Sequence, residues 1–208
     1  MFVKLLGLIH RPIYEKRIRV LSGLIVPHLQ AHDQVLDIGC GSGLLEAAVL
    51  RHRNLPPGVR YSGVEKSSRA DKPINVIEYK GSNLPFQDAA FDVVILADVL
   101  HHEEDEPQLF SEAMRVCKRV IIVKDHKIDG LLGYWRICFL DWAANNPYDV
   151  KCLYRYHTRT EWVRMFKDYG LVPAFEKTSI NLYPPLFNFV FGRGLQYFAV
   201  IEKGTQVT

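Results

Sequence analysis

Three glycines fall within five residues at the end of "VLDIGCGSG", residues 35–43. An apolar run carrying one acid, Asp37, passes directly into Gly39, Cys40, Gly41 and Gly43. Glycine permits tight backbone angles and leaves no side chain in the way of a ligand. A plain strand-to-helix turn usually needs one glycine, so three imply a ligand loop. The nicotinamide pattern G-x-G-x-x-G is not met, because Leu44 stands at its third glycine, and no G-x-x-x-x-G-K-[ST] occurs. Other chemically capable residues close apolar runs further on. Glu65 ends "YSGVE", Asp98 ends "FDVVILAD" with His101 and His102 just beyond, and "VKDH" ends in Asp125 and His126. Histidine's ordinary pKa of about 6.5 leaves His126 mostly neutral at cellular pH and able to accept a proton. Asp125 or another nearby acid is expected to hold its imidazole. Cys40, Cys117, Cys138 and Cys152 show no CxxC and no ligand spacing. No metal is expected, and the thiols read as reduced and cytoplasmic.

The elements that position these residues follow from periodicity. Ile18, Leu21, Ile25 and Leu29 recur at helical spacing, so an amphipathic helix is expected over 13–31. Strands are expected at 35–38, 61–65, 74–79, 91–98 and 119–125, with helices at 44–50 and 105–118. "TRTEWVRMFKDYG" starts a further helix with a Thr158–Glu161 capping box and stops it at Gly170. "LVPAFEKTS" and "LQYFAVIEK" read as two closing strands. Alternating strands and helices imply an α/β fold, a parallel sheet wound on both faces, in which ligands bind at the carboxyl ends of the strands. All the residues above fall at such ends.

The chain has 208 residues, 48% hydrophobic and 24% charged, as expected of a single globular domain. A net charge of +3 is too weak to argue for a nucleic-acid partner. The start "MFVKLLGLIHRP" lacks a cleavage-site pattern. No run reaches the roughly 18 apolar residues of a membrane span.

"VLDIGCGSG" resembles the glycine-rich first motif of the class I S-adenosylmethionine-dependent methyltransferase family. "GVEKSS" is similar to its second-strand acid motif, and "GSNLPFQDAAFDVVILADVLHHEED" resembles its adenine-contact and fourth-strand motifs. "WVRMFKDYGL" and the two strands after it resemble the closing helix and antiparallel hairpin. The resemblance runs over roughly residues 33–203. It implies a single doubly wound, mostly parallel, seven-stranded Rossmann-like sheet with an antiparallel last strand.

The resemblance also implies S-adenosyl-L-methionine as cofactor and S-adenosyl-L-homocysteine as product. On it, Glu65 accepts both ribose hydroxyls, and Asn83 with Leu84 meets the adenine, Asn replacing the family's frequent Asp. Asp37 orients the loop or the methionine ammonium. Gly39, Cys40 and Gly41 form the loop, and Asp98 lies beside the methionine portion with His101 lining the pocket. Residues 1–32 become an N-terminal helical cap. Residues 127–157, rich in aromatics and with Tyr134, Ile137, Cys138 and Asp141 at helical spacing, become an insertion covering the acceptor site. The expected acceptor is a small molecule methylated on O or N. Alternatives are a lipid-like or isoprenoid acceptor, with the apolar start and Lys16, Arg17 and Arg19 touching a membrane surface, or RNA. A cofactor-binding protein without turnover and a nicotinamide oxidoreductase on the same fold are further alternatives.

Overall fold

The apolar run before the glycines is a central strand. The computed structural model describes residues 2–66, 74–80, 83–145 and 151–203. Eight strands occur among them: β1 Gln34–Ile38, β2 Arg60–Glu65, β3 Asn75–Glu78, β4 Phe91–Ala97, β5 Cys117–Ile128, β6 His157–Thr158, β7 Pro173–Lys177 and β8 Gln196–Glu202. Six α-helices accompany them: α1 Phe2–Ile25, α2 Leu44–Leu50, α3 Glu106–Val116, α4 Gly133–Asn145, α5 Arg159–Asp168 and α6 Pro185–Phe191. The main sheet runs β3-β2-β1-β4-β5-β8-β7. Its strands are parallel except β8, which lies antiparallel between β5 and β7. The expected seven-stranded order is therefore present, and the two-residue β6 pairs with Lys127 and Ile128 at the tip of β5 as an eighth.

Alternation along each strand sends side chains to two cores. Val35, Val93, Ile95, Ile122, Phe198 and Val200 pack with Leu21 and Ile25 of α1 and Leu45 and Val49 of α2. Leu36, Leu96, Ile121 and Val123 pack on the other face with Phe110 of α3 and with Trp162 and Phe166 of α5. Burial on both faces is why β4 reads as an unbroken apolar run.

Several boundaries differ from expectation. The first helix begins at Phe2 and ends at Ile25, where Pro27 forces a 3-10 turn over Val26–His28 and Leu29 leaves in extended conformation. Helix α3 stops at Val116, and β5 takes Cys117 and runs on to Ile128, so Lys127 and Ile128 belong to the sheet rather than to the insertion. The extension follows from partners: His126 pairs with Gln196 of β8 and Lys127 with His157 of β6. The capping box at Thr158 and Glu161 forms in full, and Gly170 takes a positive φ of 70° beyond α5. Ser67, Ser68 and Asn146 lie outside the described residues. No described helix is long and apolar enough to cross a membrane.

Trp162 fastens α5 to the strand tips. It is 1% exposed, stacks on Tyr197 at 5.3 Å with ring planes 2° apart, and donates its indole N–H to the His126 carbonyl at 3.1 Å. Trp162→Ala should lower stability by about 3–5 kcal/mol, the usual cost of deleting a buried aromatic. The check is urea unfolding followed by circular dichroism, and a loss under 1 kcal/mol would show that this contact is dispensable.

Candidate active site

The glycine loop leaves β1 with Gly39, Gly41 and Gly43 all in the left-handed region, at φ of 73°, 55° and 71°. Only glycine takes such angles without strain. A Cβ on Gly39 would also lie 2.5 Å from Cγ2 of Val99, whereas one on Gly41 would meet nothing within 4 Å. The loop is thus pressed against β4 at its start and open at its middle. Cys40 is half-buried and lines the other side, its Sγ 2.5 Å from where a Gly63 Cβ would sit. Glu65 holds the loop directly, its Oε2 accepting the Gly41 N–H at 2.8 Å and its Oε1 the Lys66 N–H at 2.9 Å.

Asp37 is buried behind this loop, and its Oδ1 has no partner. Burial, then the neighbouring Glu46 carboxyl, pushes the Asp37 carboxyl well above the usual carboxylate range. Leu84 is buried, with its N–H donated to Glu112 at 2.8 Å. Asn83 lies at the exposed rim and accepts from Gln108 at 3.2 Å. A cavity of about 520 Å³ opens nearby, lined by Lys66, Tyr79, Glu103, Gln108 and Leu109 among others. A larger one of about 730 Å³ is lined only by α1, α2 and the residues after α2. It includes no strand-tip residue, and the site chemistry lies elsewhere.

Asp98 ends β4 at φ 55° and receives two cations, Arg17 from α1 and Lys124 from β5. Burial opposes its ionisation, but Lys124 and Arg17 outweigh burial and hold the carboxyl well below its ordinary range. Arg17 therefore faces the site, and Lys16 donates to the Tyr183 carbonyl at 2.5 Å. Of the three basic residues expected at a membrane surface, Arg19 alone is exposed.

Beside this triad lie the histidines. His101 Nδ1 sits 2.5 Å from Asp125 Oδ1, and its Nε2 is 3.6 Å from Asp141 Oδ1. Burial alone would lower the His101 pKa, but the Asp125 carboxylate, with help from Asp141, raises it to about 10. His126 behaves in the opposite way. Burial, then Lys124, lowers its pKa to about 4, so its ring is neutral. Its Nδ1 lies 3.4 Å from the Gln196 amide nitrogen, and its Nε2 is 4.0 Å from Asp98. Asp125 does not hold the His126 imidazole as expected. Neighbouring strand residues face opposite sides of the sheet, so Asp125 takes His101 and meets His126 only at its backbone N–H, at 2.6 Å.

The sequence reading therefore found the strand-end residues but missed Arg17, Lys124, Tyr156 and Gln196 as their partners. Tyr156 donates to Asp141 at 2.6 Å and packs edge-on against His126 with ring centres 5.8 Å apart. Arg17 and Lys124 carried a usable signal, since a cation on a helix's apolar side or inside a buried strand must have a counter-ion. Nothing in the sequence marked Gln196 or Tyr156.

Comparison with known proteins agrees with this geometry. Residues 36–120 match the family model described as a methyltransferase domain. The chain is 38% identical over 109 residues to the bifunctional methionine biosynthesis protein MetXA/MetW of Rhodopirellula baltica, which covers 47% of this chain and 18% of that protein. It is 32% identical over 111 residues to 27-O-demethylrifamycin SV methyltransferase of Amycolatopsis mediterranei, covering 47% and 39%. It thus spans less than half the length of these curated relatives. An S-adenosylmethionine-dependent methyltransferase of Thermotoga maritima superposes with a TM-score of 0.65 at 19% identity, covering 94% of this chain and 92% of that one. Residues 36–120 thus carry the methyltransferase-domain match, and the strand order around them gives the chain the Rossmann-like fold of its solved neighbours.

Proposed function

We propose that this chain transfers a methyl group from S-adenosylmethionine to a hydroxyl or amine of a small-molecule acceptor. The observation that carries the reading is the left-handed glycine loop tied to the Glu65 carboxylate over a buried, unpartnered Asp37 oxygen. The residues fit the cofactor. Glu65 can exchange its backbone partners for ribose hydroxyls, Gly39, Cys40 and Gly41 leave room beside the loop, and Asp37 has an acceptor to spare. Asn83 and Leu84 are assigned to the adenine end, and Asp98 and His101 to the methionine end. The bound cofactor would supply an electrophilic methyl on a sulfonium. This chain's residues hold the acceptor in line and keep water out, and orientation of that kind is worth several kcal/mol.

The rest of the expected insertion, 129–145 and 151–156 among the described residues, is assigned with α1 as the cover of the acceptor pocket. Support comes from where their side chains reach: Arg17 of α1 meets Asp98, Asp141 of α4 meets His101, and Tyr156 packs on His126. His126 is assigned as the base for a hydroxyl acceptor, with Asp125 acting at one remove through His101. Its neutral ring is free to accept a proton, although burial and the Lys124 ammonium make it a weaker base than free imidazole.

A second reading, a lipid-like acceptor, is favoured by one surface. Leu131 and Leu132 before α4, Trp135, Phe139 and Trp142 on α4, and Leu186 and Phe189 on α6 are all exposed, Leu131 at 97% and Leu186 at 81%. The two helices adjoin through Phe139 and Phe191, stacked at 5.7 Å. A contiguous apolar and aromatic face of this kind suits a lipid interface.

Three measurements test these assignments. S-adenosylhomocysteine should raise the melting temperature, and Glu65→Ala should weaken that stabilisation by about 1.5–3 kcal/mol, the worth of hydrogen bonds to a charged group. A shift with NAD and none with S-adenosylhomocysteine would sink the cofactor assignment. For the base, His126→Ala should lower kcat about a hundredfold or more while cofactor affinity stays within a few-fold. Because the folded pKa is about 4, the wild-type rate should show no limb near pH 6.5 from this residue. Turnover within a few-fold of wild type removes His126 from the mechanism. For the surface, vesicles of mixed neutral and anionic phospholipid should co-float the protein, and Trp135→Ser with Phe189→Ser should cut the bound fraction several-fold. Absence of wild-type binding leaves the water-soluble acceptor.

A further inference from the structure

The histidine cluster has a feature that an ion pair does not require. His101 and His102 occupy the 3-10 turn Leu100–His102 beyond β4, and Asp141 comes from α4. The chelating atoms of these three side chains lie within 4.8 Å of one another, the only such trio of histidine, cysteine or acid among the described residues. Both histidine Nε2 atoms are 3.6 Å from the same atom, Asp141 Oδ1.

The second nitrogen of each ring is already held. Asp125 takes His101 Nδ1 at 2.5 Å, and the Lys151 carbonyl takes His102 Nδ1 at 3.2 Å. A carboxylate or carbonyl on Nδ1 turns each ring so that Nε2 points at Asp141, which is how metal-bound histidines are oriented, and a metal there would displace the proton that His101 otherwise keeps. Asp141 is fixed in the same sense, since Tyr156 donates to its Oδ2 and leaves Oδ1 toward the histidines. The side chains of His101 and Asp141 are 3% and 0% exposed, and that of His102 is 17% exposed, leaving an entry path along it.

One donor sits between them. The Asn145 amide nitrogen lies 2.7 Å from Asp141 Oδ1 and 3.5 Å from His102 Nε2. It puts partial positive charge where those two lone pairs converge. Half a turn of that amide would bring its oxygen there instead.

We propose that His101, His102 and Asp141 form a site for a divalent transition metal, zinc(II) by ligand type, with Asp125, Lys151 and Tyr156 orienting the ligands. Two imidazole nitrogens and one carboxylate oxygen are a donor set zinc takes, and the Asn145 oxygen or an exogenous oxygen completes four. Bonds of about 2.0–2.2 Å need ligand atoms about 3.3 Å apart, so small side-chain shifts close the 3.6 Å separations. Sequence spacing hid the site because no cysteine takes part and the third ligand lies some forty positions from the histidines. The inference concerns metal binding alone and stands whether or not methyl transfer is found.

The full chain, stripped with a chelator and dialysed into metal-free buffer, is titrated with zinc(II) against a chromophoric chelator. Cobalt(II) then serves as a spectroscopic substitute. One equivalent of zinc should bind, and cobalt should give the visible absorption of a four-coordinate nitrogen–oxygen site. His102→Gln and Asp141→Asn should each weaken zinc binding about a hundredfold or more, and Asp125→Asn by about 10–100-fold, the usual cost of losing an outer partner. His157→Gln, whose ring pairs with Glu106 at 2.9 Å and takes no part in the trio, should bind as wild type. Circular dichroism confirms that each variant is folded, and His102→Gln decides the matter if the buried Asp141 variant is not. Failure of the wild type to bind zinc overturns the proposal, as does zinc bound with unchanged affinity by folded His102→Gln. Either result leaves the cluster as an ion pair of His101 with its two acids.

Discussion

The Asp98 carboxylate is the point on which the strand-tip region depends. It joins three elements far apart in sequence: α1 through Arg17, β4 through its own backbone, and β5 through Lys124. Buried ion pairs give little net stability against a well-packed apolar alternative, yet removing one partner costs about 3–5 kcal/mol because a charge is left uncompensated. The triad therefore works as a constraint on position. It draws α1 across the carboxyl ends of β4 and β5, and it sets the charge that His126 experiences.

That charge separates two histidines whose rings are 4.9 Å apart. His101 faces Asp125 and Asp141 and keeps its proton well into the alkaline range. His126 faces Lys124 and loses its proton well below neutrality. Two imidazoles in one patch thus differ in charge because different neighbours face them. Divergent environments for neighbouring titratable groups are how one fold assigns acid and base. Alternation along β5 contributes by turning Asp125 away from His126 and toward His101.

Much of the fold was legible in the sequence, because burial leaves marks there. The apolar run of β4, the glycines after β1 and the Thr158–Glu161 capping box each reflect a local physical demand, and each element formed where expected. Strand ends were less legible. β5 runs three residues past Asp125 because β8 and β6 offer it partners, which a local pattern does not record. The site divides in the same way. Asp37, Glu65, Asp98 and His126 could be found because strand ends are where such folds place chemistry. Which side chain meets which could not, since Arg17 lies 81 positions from Asp98 and Gln196 lies 70 from His126.

Charge also explains why the Asp37 carboxyl is pushed well above its ordinary range. Asp98, Asp125 and Asp141 are matched by Arg17, Lys124 and protonated His101, three against three, so the strand tips are neutral as they stand. Among the described residues no salt bridge to Asp37 forms, and Arg17 lowers its pKa only at a distance. Asp37 is buried, and the neighbouring Glu46 carboxyl raises its pKa further. A ligand that brings an ammonium to the glycine loop changes that balance, because it supplies the missing counter-charge at a carboxyl already desolvated. A neutral ligand provides no such counter-charge. An ammonium beside Asp37 would lower its pKa by the same Coulomb effect that Lys124 and Arg17 exert on Asp98.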